Sequence, residues 1–234
     1  MAASSRIISI PARPASLAID LATSAVLVID MQNDFGSRGG MFDRAGIDLS
    51  VIRRAVPPTQ RVVAAARTAA LPIVYLKMAH QPDLSDTGGQ TSPHWFRHER
   101  MSVGKAVTAP DGQPSRILID GTWNTEILPE LAPYPEDIVV SKHRYSGFFE
   151  TDLDKQLGAL GIRNLIVTGC TTSVCVESTI RDAMFRDYTC LLLEDCTGQP
   201  LFPNASMGTH EASLLTIQAM FGWVTTSAAL IAAI

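Results

Sequence analysis

The sequence predicts a three-layer α/β sandwich built on a mainly parallel sheet. Short apolar segments alternate along the chain with segments of helical spacing, and the first of them, 24–30, is apolar almost throughout and ends on an acid. A strand without a polar face is typical of a parallel sheet covered on both sides. Right-handed crossovers between such strands place helices on both faces of the sheet.

Five segments have the length of buried strands and are rich in leucine or β-branched residues. They cover residues 24–30, 71–78, 137–141, 164–168 and 189–194. Together these segments predict five parallel strands.

Helical periodicity fills much of the chain between these strands. Leu153, Leu157 and Leu160 fall on one face, and Thr151 with Asp154 resembles a capping box at the start of that helix. The predicted helices cover residues 50–70, 152–160, 173–187 and 209–221. The long segment 79–122 breaks the alternation, and we expect it to be a loop that covers the substrate.

Composition and charge bound the function. With 46% hydrophobic and 18% charged residues, the chain is expected to form one globular domain over 21–234 after an N-terminal extension over 1–20. A net charge of −4 with scattered basic residues argues against nucleic-acid binding. Four irregularly spaced cysteines favour reduced thiols in the cytoplasm, and no apolar run has the length of a membrane span. A small-molecule substrate is therefore expected.

No cofactor is predicted from the glycine patterns. The sequence contains neither the G-x-G-x-x-G pattern of dinucleotide sites nor the G-x-x-x-x-G-K-[ST] pattern of phosphate-binding loops.

Three reactive side chains stand at the ends of predicted strands, where open parallel sheets bind their ligands. They are Asp30, Lys142 and Cys175. Cys175 lies in the first turn of a predicted helix, a position that lowers a thiol pKa, while Asp30 could accept its proton and Lys142 could stabilise the thiolate. A buried structural cysteine, a turn-capping aspartate and a surface lysine are the open alternatives.

Four longer motifs surround these residues. They are LVIDMQNDF (27–35), VVSKHRYSGFFETDLDKQL (139–157), VTGCTTSVCVESTIRDA (167–183) and LLLEDCTGQ (191–199). Together they resemble the isochorismatase-like cysteine hydrolases, which include nicotinamidases, N-carbamoylsarcosine amidohydrolases, biuret hydrolases and ureidoacrylate amidohydrolases. The resemblance covers almost the whole chain and implies a Rossmann-like sheet.

The resemblance also implies the catalytic roles. It places an Asp–Lys–Cys triad at Asp30, Lys142 and Cys175, and a cis peptide between Cys170 and Thr171. The backbone N–H groups of Thr171 and Cys175 are then expected to hold the oxyanion of an intermediate that leads to a thioester.

Within the family, ureidoacrylate amidohydrolases are most similar through RYSGFF (144–149), the GG-x-x-SP pattern at 88–93 and FGWV (221–224). Biuret hydrolases are close rivals through residues 80–84 and GIDLS (46–50). We therefore expect hydrolysis of the C–N bond of a small ureido or carbamoyl substrate. The alternatives are a biuret-type or N-carbamoyl amino acid amidohydrolase, and a catalytically silent binding domain of the same fold.

Several side chains are candidates for holding the substrate. They are Gln32, Asn33, His80, Trp95 and Tyr145. A basic cluster of Arg97, His98 and Arg100 could attract a carboxylate, although a solvated face is equally compatible with it.

A metal is not expected. The nicotinamidase branch binds one through a D-x-H motif with further histidines, and no such cluster is apparent in the sequence. His94 and His98, in a predicted loop, are expected to be solvated or to face the substrate. The apolar C-terminal segment 228–234 and the long loop predict a homo-oligomer.

Overall fold

The computed structural model describes residues 5–202 and 208–234. Its strands, in chain order, are β1 (Ile7–Ile10), β2 (Leu17–Asp20), β3 (Ser24–Ile29), β4 (Ile73–Met78), β5 (Ala106–Thr108), β6 (Pro114–Arg116), β7 (Ile138–Lys142), β8 (Asn164–Cys170), β9 (Thr189–Gly198) and β10 (Trp223–Thr225). Its α-helices are α1 (Asn33–Gly36), α2 (Met41–Arg44), α3 (Ser50–Thr68), α4 (Pro93–Arg100), α5 (Leu153–Ala159), α6 (Glu177–Met184), α7 (Thr209–Thr216) and α8 (Ser227–Ala233).

The central sheet has six strands in the order β10-β9-β8-β3-β4-β7, and all five pairings are parallel. The predicted α/β fold is confirmed. The expectation of five strands is wrong by one, because β10 has only three residues and gives too short a pattern to recognise. β1 with β2 and β5 with β6 form separate antiparallel pairs.

The uninterrupted apolar character of β3 follows from burial on both of its faces. Val26 and Val28 belong to the core cluster that includes residues of α3 and α8. Ala25, Leu27 and Ile29 belong to the cluster on the opposite face, with residues of α5 and α6. Successive side chains of a strand point to opposite faces, so no position in β3 faces water.

The predicted helices are present with altered ends. The segment predicted as a helix over 173–187 begins as a π-helical turn, Thr172–Val176, before α6. The expected capping box at α5 is absent. Thr151 Oγ accepts a hydrogen bond from the Leu153 N–H at 3.3 Å, whereas the Asp154 carboxylate accepts one from the Tyr188 hydroxyl at 2.8 Å.

The segment 79–122 is more ordered than a loop. It contains α4 and the β5–β6 pair, and the His80 N–H donates to the Leu118 carbonyl at 2.8 Å. A buried carboxylate, Asp34, accepts from the Leu118 N–H at 2.7 Å and from the Asn124 amide at 2.5 Å. These bonds hold the segment against the carboxyl ends of β3 and β4. No helix in the described part of the chain combines the length and apolar character needed to cross a membrane.

Candidate active site

The three predicted reactive residues lie at or after the carboxyl ends of three strands of the central sheet. Asp30 directly follows β3 with a left-handed φ of 53°, Lys142 is the last residue of β7, and Cys175 lies in the π-helical turn after β8. In the sheet β3 lies between β8 and β4, and β4 pairs with β7. The parallel register therefore brings these side chains to one edge of the sheet.

Asp30 and Lys142 form a buried ion pair. Lys142 Nζ donates to Asp30 Oδ2 at 2.7 Å and to the Arg144 carbonyl at 3.2 Å, and the two side chains are 1% and 0% exposed. Removing two charges from water is costly, and close contact with additional hydrogen bonds is what makes such a pair tolerable. Burial lowers the pKa of Lys142, but the charge of Asp30, the nearby Cys175 and the hydrogen bonds to both together raise this pKa above its usual value, so the amine is an ammonium.

The second oxygen of Asp30 has no such partner. Oδ1 is buried and has no hydrogen-bond partner of good geometry among the described residues. Burial raises the pKa of the Asp30 carboxyl above its usual value, although Lys142 and the neighbouring Cys175 thiol oppose the rise. A carboxylate with a raised pKa is a better proton acceptor than an exposed one.

The Cys175 thiol is buried, with 6% of the residue exposed. Burial raises its pKa well above the usual value, the negative charge of Asp30 adds to the rise, and Lys142 opposes it. The expected lowering of this pKa by the helix start is therefore wrong: desolvation is the larger effect, and the resting group is a thiol.

Cys175 opens onto a cavity of about 400 Å³. Thr171 also lines it, and the peptide between Cys170 and Thr171 is cis, as expected. Tyr145, Arg97 and His98 supply polar groups. The rest of the lining is apolar and was not recognised in the sequence: Phe35, Met41, Phe42, Met78, Met101, Leu118, Val174, Leu201 and Phe202.

Not all the candidate substrate residues reach this cavity. The Gln32 amide exchanges two hydrogen bonds with the Met78 backbone, at 2.9 and 2.8 Å, and the Asn33 amide donates to the Trp123 carbonyl at 2.8 Å. These two side chains tie the end of β3 to its neighbours. Trp95 is half-buried on α4 and does not line the cavity, whereas Tyr145 does.

Three histidines meet beside the cavity. His80 follows β4, His94 and His98 lie one turn apart on α4, and all three are buried. His94 and His98 lie on a helix rather than in a loop and are not solvated, whereas the alternative that they face the substrate agrees with His98, which lines the cavity. The expectation that the chain lacks a histidine cluster is wrong. Ser92 caps α4 through the His94 N–H at 3.2 Å and Pro93 is its first residue, a helix-start signal that the sequence contains.

A parallel α/β sheet whose strand ends hold a buried carboxylate–ammonium pair and a thiol that opens onto a cavity is the arrangement of a class of three-layer α/β hydrolases. The isochorismatase domain matches residues 24–229 of this chain. The chain therefore belongs to the isochorismatase family.

Relatives of known name are similar over most of their length. The chain is 40% identical over 217 residues to the ureidoacrylate amidohydrolase RutB of Variovorax paradoxus, which covers 93% of this chain and 83% of that protein. It is 39% identical over 221 residues to the ureidoacrylate amidohydrolase RutB of Caulobacter vibrioides, with 94% of each protein covered.

Solved structures share the fold. A cysteine hydrolase from Pseudomonas syringae pv. phaseolicola has a TM-score of 0.76 at 30% identity, covering 98% of this chain and 97% of that one. The N-carbamoylsarcosine amidase of Thermoplasma acidophilum has a TM-score of 0.63 at 26% identity, covering 88% and 96%. Together with the named relatives, these similarities identify the chain as a hydrolase of this family.

Proposed function

We propose that this chain is a cysteine amidohydrolase that cleaves the C–N bond of a small ureido substrate of the ureidoacrylate type, with Cys175 as nucleophile. The observation that carries the proposal is the buried Asp30–Lys142 pair. One carboxylate oxygen of Asp30 accepts a hydrogen bond from the ammonium, and the other has no hydrogen-bond partner among the described residues. Relatives named ureidoacrylate amidohydrolases, about 40% identical over most of the chain, support the substrate class.

The raised thiol pKa sets the order of events. Because the resting sulfur is protonated, Asp30 takes its proton as the sulfur attacks the ureido carbonyl carbon and the C–S bond forms. The carbonyl π electrons move onto oxygen, where the backbone N–H groups of Thr171 and Cys175 stabilise the negative charge.

The intermediate then collapses. The C–N bond breaks, the leaving nitrogen takes the proton held by Asp30, and the carbamoyl group remains on sulfur as a thioester-type intermediate. Water, deprotonated by Asp30, attacks the carbonyl carbon and displaces the sulfur, which takes that proton back from Asp30 and returns to the thiol. The released carbamate decomposes to ammonia and carbon dioxide. Lys142 stays charged throughout and limits the build-up of negative charge next to the sulfur.

Arg97 favours an acidic substrate over a neutral one. Among the described residues that line the cavity, Arg97 is the one with a permanently charged basic side chain. The apolar part of the lining suits a flat carbon chain. A guanidinium binds a carboxylate through two parallel hydrogen bonds. Ureidoacrylate carries a carboxylate, whereas biuret does not.

Ammonia release tests the proposal. We expect turnover of ureidoacrylate to exceed that of biuret, N-carbamoyl amino acids and nicotinamide, and Cys175→Ser to lower kcat by about 10³-fold or more. Cys190→Ser, at a buried cysteine of β9, is the matched control and should retain turnover. Arg97→Ala should raise KM for ureidoacrylate more than for biuret. Full turnover by the Cys175→Ser protein would rule the mechanism out.

The setting of the enzyme is part of the proposal. Four free cysteines fit a reducing cytoplasm, and neither a nucleic acid nor a membrane is an expected partner. A homo-oligomer is supported by exposed Phe185, Leu215 and Met220 around α6 and α7. The C-terminal segment 228–234 gives less support than its sequence suggested, because Leu230 is buried in the chain's own core.

A further inference from the structure

The three histidines beside the cavity bring ring nitrogens close together. One nitrogen from each of His80, His94 and His98 lies within 4.8 Å of one from each of the others. The His94 and His98 ring centroids are 3.9 Å apart, and those of His80 and His98 are 4.7 Å apart. Three tetrahedral ligand nitrogens at zinc would lie about 3.4 Å from one another, so small side-chain rotations would complete the geometry.

Each of the three rings also has a nitrogen that lacks the hydrogen bond that a buried polar atom normally makes. His80 Nε2, His94 Nε2 and His98 Nδ1 are all buried without a partner among the described residues. An unsatisfied buried nitrogen costs about 1–3 kcal/mol, and three such atoms on neighbouring rings are unusual in a native protein. A shared ligand would satisfy them all.

The protonation state suits metal binding. Burial lowers the pKa of His94 to about 4 and that of His98 to about 2, and burial lowers the pKa of His80 as well. At neutral pH the cluster therefore presents neutral imidazoles with lone pairs, the form that coordinates a metal.

Asp86 orients the first of the three rings. Its Oδ1 lies 3.0 Å from His80 Nδ1, and its Oδ2 accepts the Gln81 N–H at 3.0 Å. A carboxylate on Nδ1 fixes the proton there and leaves the lone pair on Nε2, which is the unpartnered atom. The same carboxylate–histidine arrangement supports the ligands of many metal sites.

We propose that His80, His94 and His98 bind one divalent transition metal ion, and that zinc fits the site best. Imidazole ligands suit zinc and its neighbours in the first transition series, whereas magnesium and calcium prefer oxygen. Two positions before His80 the chain has Met78, so this ligand set is not a D-x-H motif. The prediction from sequence that no metal binds is thereby revised.

The site has the form of an open metal centre. His98 lines the same cavity as Cys175, so a metal held by the three histidines would lie beside the space that the substrate would occupy. Three protein ligands with an open fourth position are typical of zinc sites that bind water or a substrate oxygen. A substrate carbonyl or carboxylate oxygen could take that position next to the nucleophile.

Cobalt titration of the Cys175→Ser protein tests the site without relying on catalysis, and the substitution removes a competing thiol from the cavity that His98 lines. After treatment with a chelator and removal of any histidine tag, we expect one equivalent of Co²⁺ to give the absorption of tetrahedral cobalt, and zinc to displace it. His94→Gln and His98→Gln should each weaken binding at least 100-fold, and Asp86→Asn about tenfold. His143→Gln, at a histidine bonded to Glu150 outside the cluster, should bind normally.

Two results would overturn the proposal. One is the absence of stoichiometric binding at micromolar metal, which would leave the cluster as packed neutral imidazoles. The other is unchanged binding in both His94→Gln and His98→Gln, with circular dichroism confirming that they fold. Should those variants fail to fold, X-ray absorption of the zinc-loaded Cys175→Ser protein decides instead: three or more nitrogen ligands support the site, and fewer reject it.

Discussion

The charges of Lys142 and Asp30 are in contact with each other and shielded from water. Each charge is buried and each is compensated by its partner at 2.7 Å. Stability at this site therefore depends on charge balance rather than on either side chain alone, because an uncompensated buried charge costs far more than a neutral pair.

Lys142→Met should lower the free energy of unfolding by about 3 kcal/mol, because it leaves the Asp30 carboxylate buried without its cation. Adding Asp30→Asn removes that charge and should recover a large part of the loss. Urea denaturation of the two single variants and the double variant measures the coupling. If the two effects simply add, the ion pair contributes no coupling and the assignment of charges is wrong.

The residues of the candidate site could be predicted from sequence, but their electrostatics could not. Asp30 and Cys175 follow apolar strands and Lys142 ends one, and these positions are visible in the sequence. The state of the thiol depends on how deeply the strand ends are covered, and the residues that cover them, such as Phe35 and Phe42, are distant in sequence from Cys175.

Among the elements, the turn that carries the nucleophile depends on the close approach of β8 to β3. Gly169 has a φ of 118°, and a Cβ atom there would overlap the Ile29 carbonyl oxygen. Because that contact is with backbone, no side-chain rotation can relieve it. Glycine is therefore required at this position, directly before Cys170.

Gly169→Ala should lower the free energy of unfolding by about 3 kcal/mol or more, or prevent recovery of folded protein. Gly158→Ala is the matched control: Gly158 is exposed in α5, and a Cβ atom added there would have no neighbour within 4 Å, so alanine should stabilise by about 0.5 kcal/mol. Thermal and urea unfolding compare the two. Equal stability of both variants would contradict the steric argument.

Strands and helices could be predicted from the sequence where burial produces a long run or repeat of apolar residues, and not where it produces none. The strand β3 is buried on both faces over six residues, and all but Ser24 are apolar, so its pattern is clear in the sequence. β10 has only three residues. α4 has eight, most of them polar, and its buried positions are occupied by His94 and His98 rather than by apolar residues. A histidine pair on a short helix has no apolar periodicity to reveal it.

At the scale of the whole molecule, Asp34 joins parts of the chain that are far apart in sequence. Its carboxylate accepts hydrogen bonds from the backbone of Met41 and Leu118 and from the Asn124 amide. Burial raises its pKa to about 6, although these three donors oppose the rise. The folded protein therefore binds a proton here at a pH where the unfolded chain does not.

The sign of the resulting pH dependence follows from linkage. With a folded pKa of about 6 against 3.8 in the unfolded chain, ionisation of Asp34 costs stability above pH 6, and this cost declines as the pH falls towards 4. Between pH 8 and pH 5, the free energy of unfolding of the native protein should rise by about 1 kcal/mol relative to Asp34→Asn. Urea denaturation of both proteins over this range measures the gap. A gap independent of pH would show that Asp34 titrates normally.

The position of β7 as an edge strand affects how the enzyme would lose activity. Only β4 pairs with this strand in the described structure, yet its last residue supplies the ammonium of the proposed site. Edge strands open more easily than central ones, and fraying here would withdraw the cation while β3 and β8 stayed intact. The fraction of active enzyme would then depend on the local stability of the edge strand β7 rather than on the stability of the core strands.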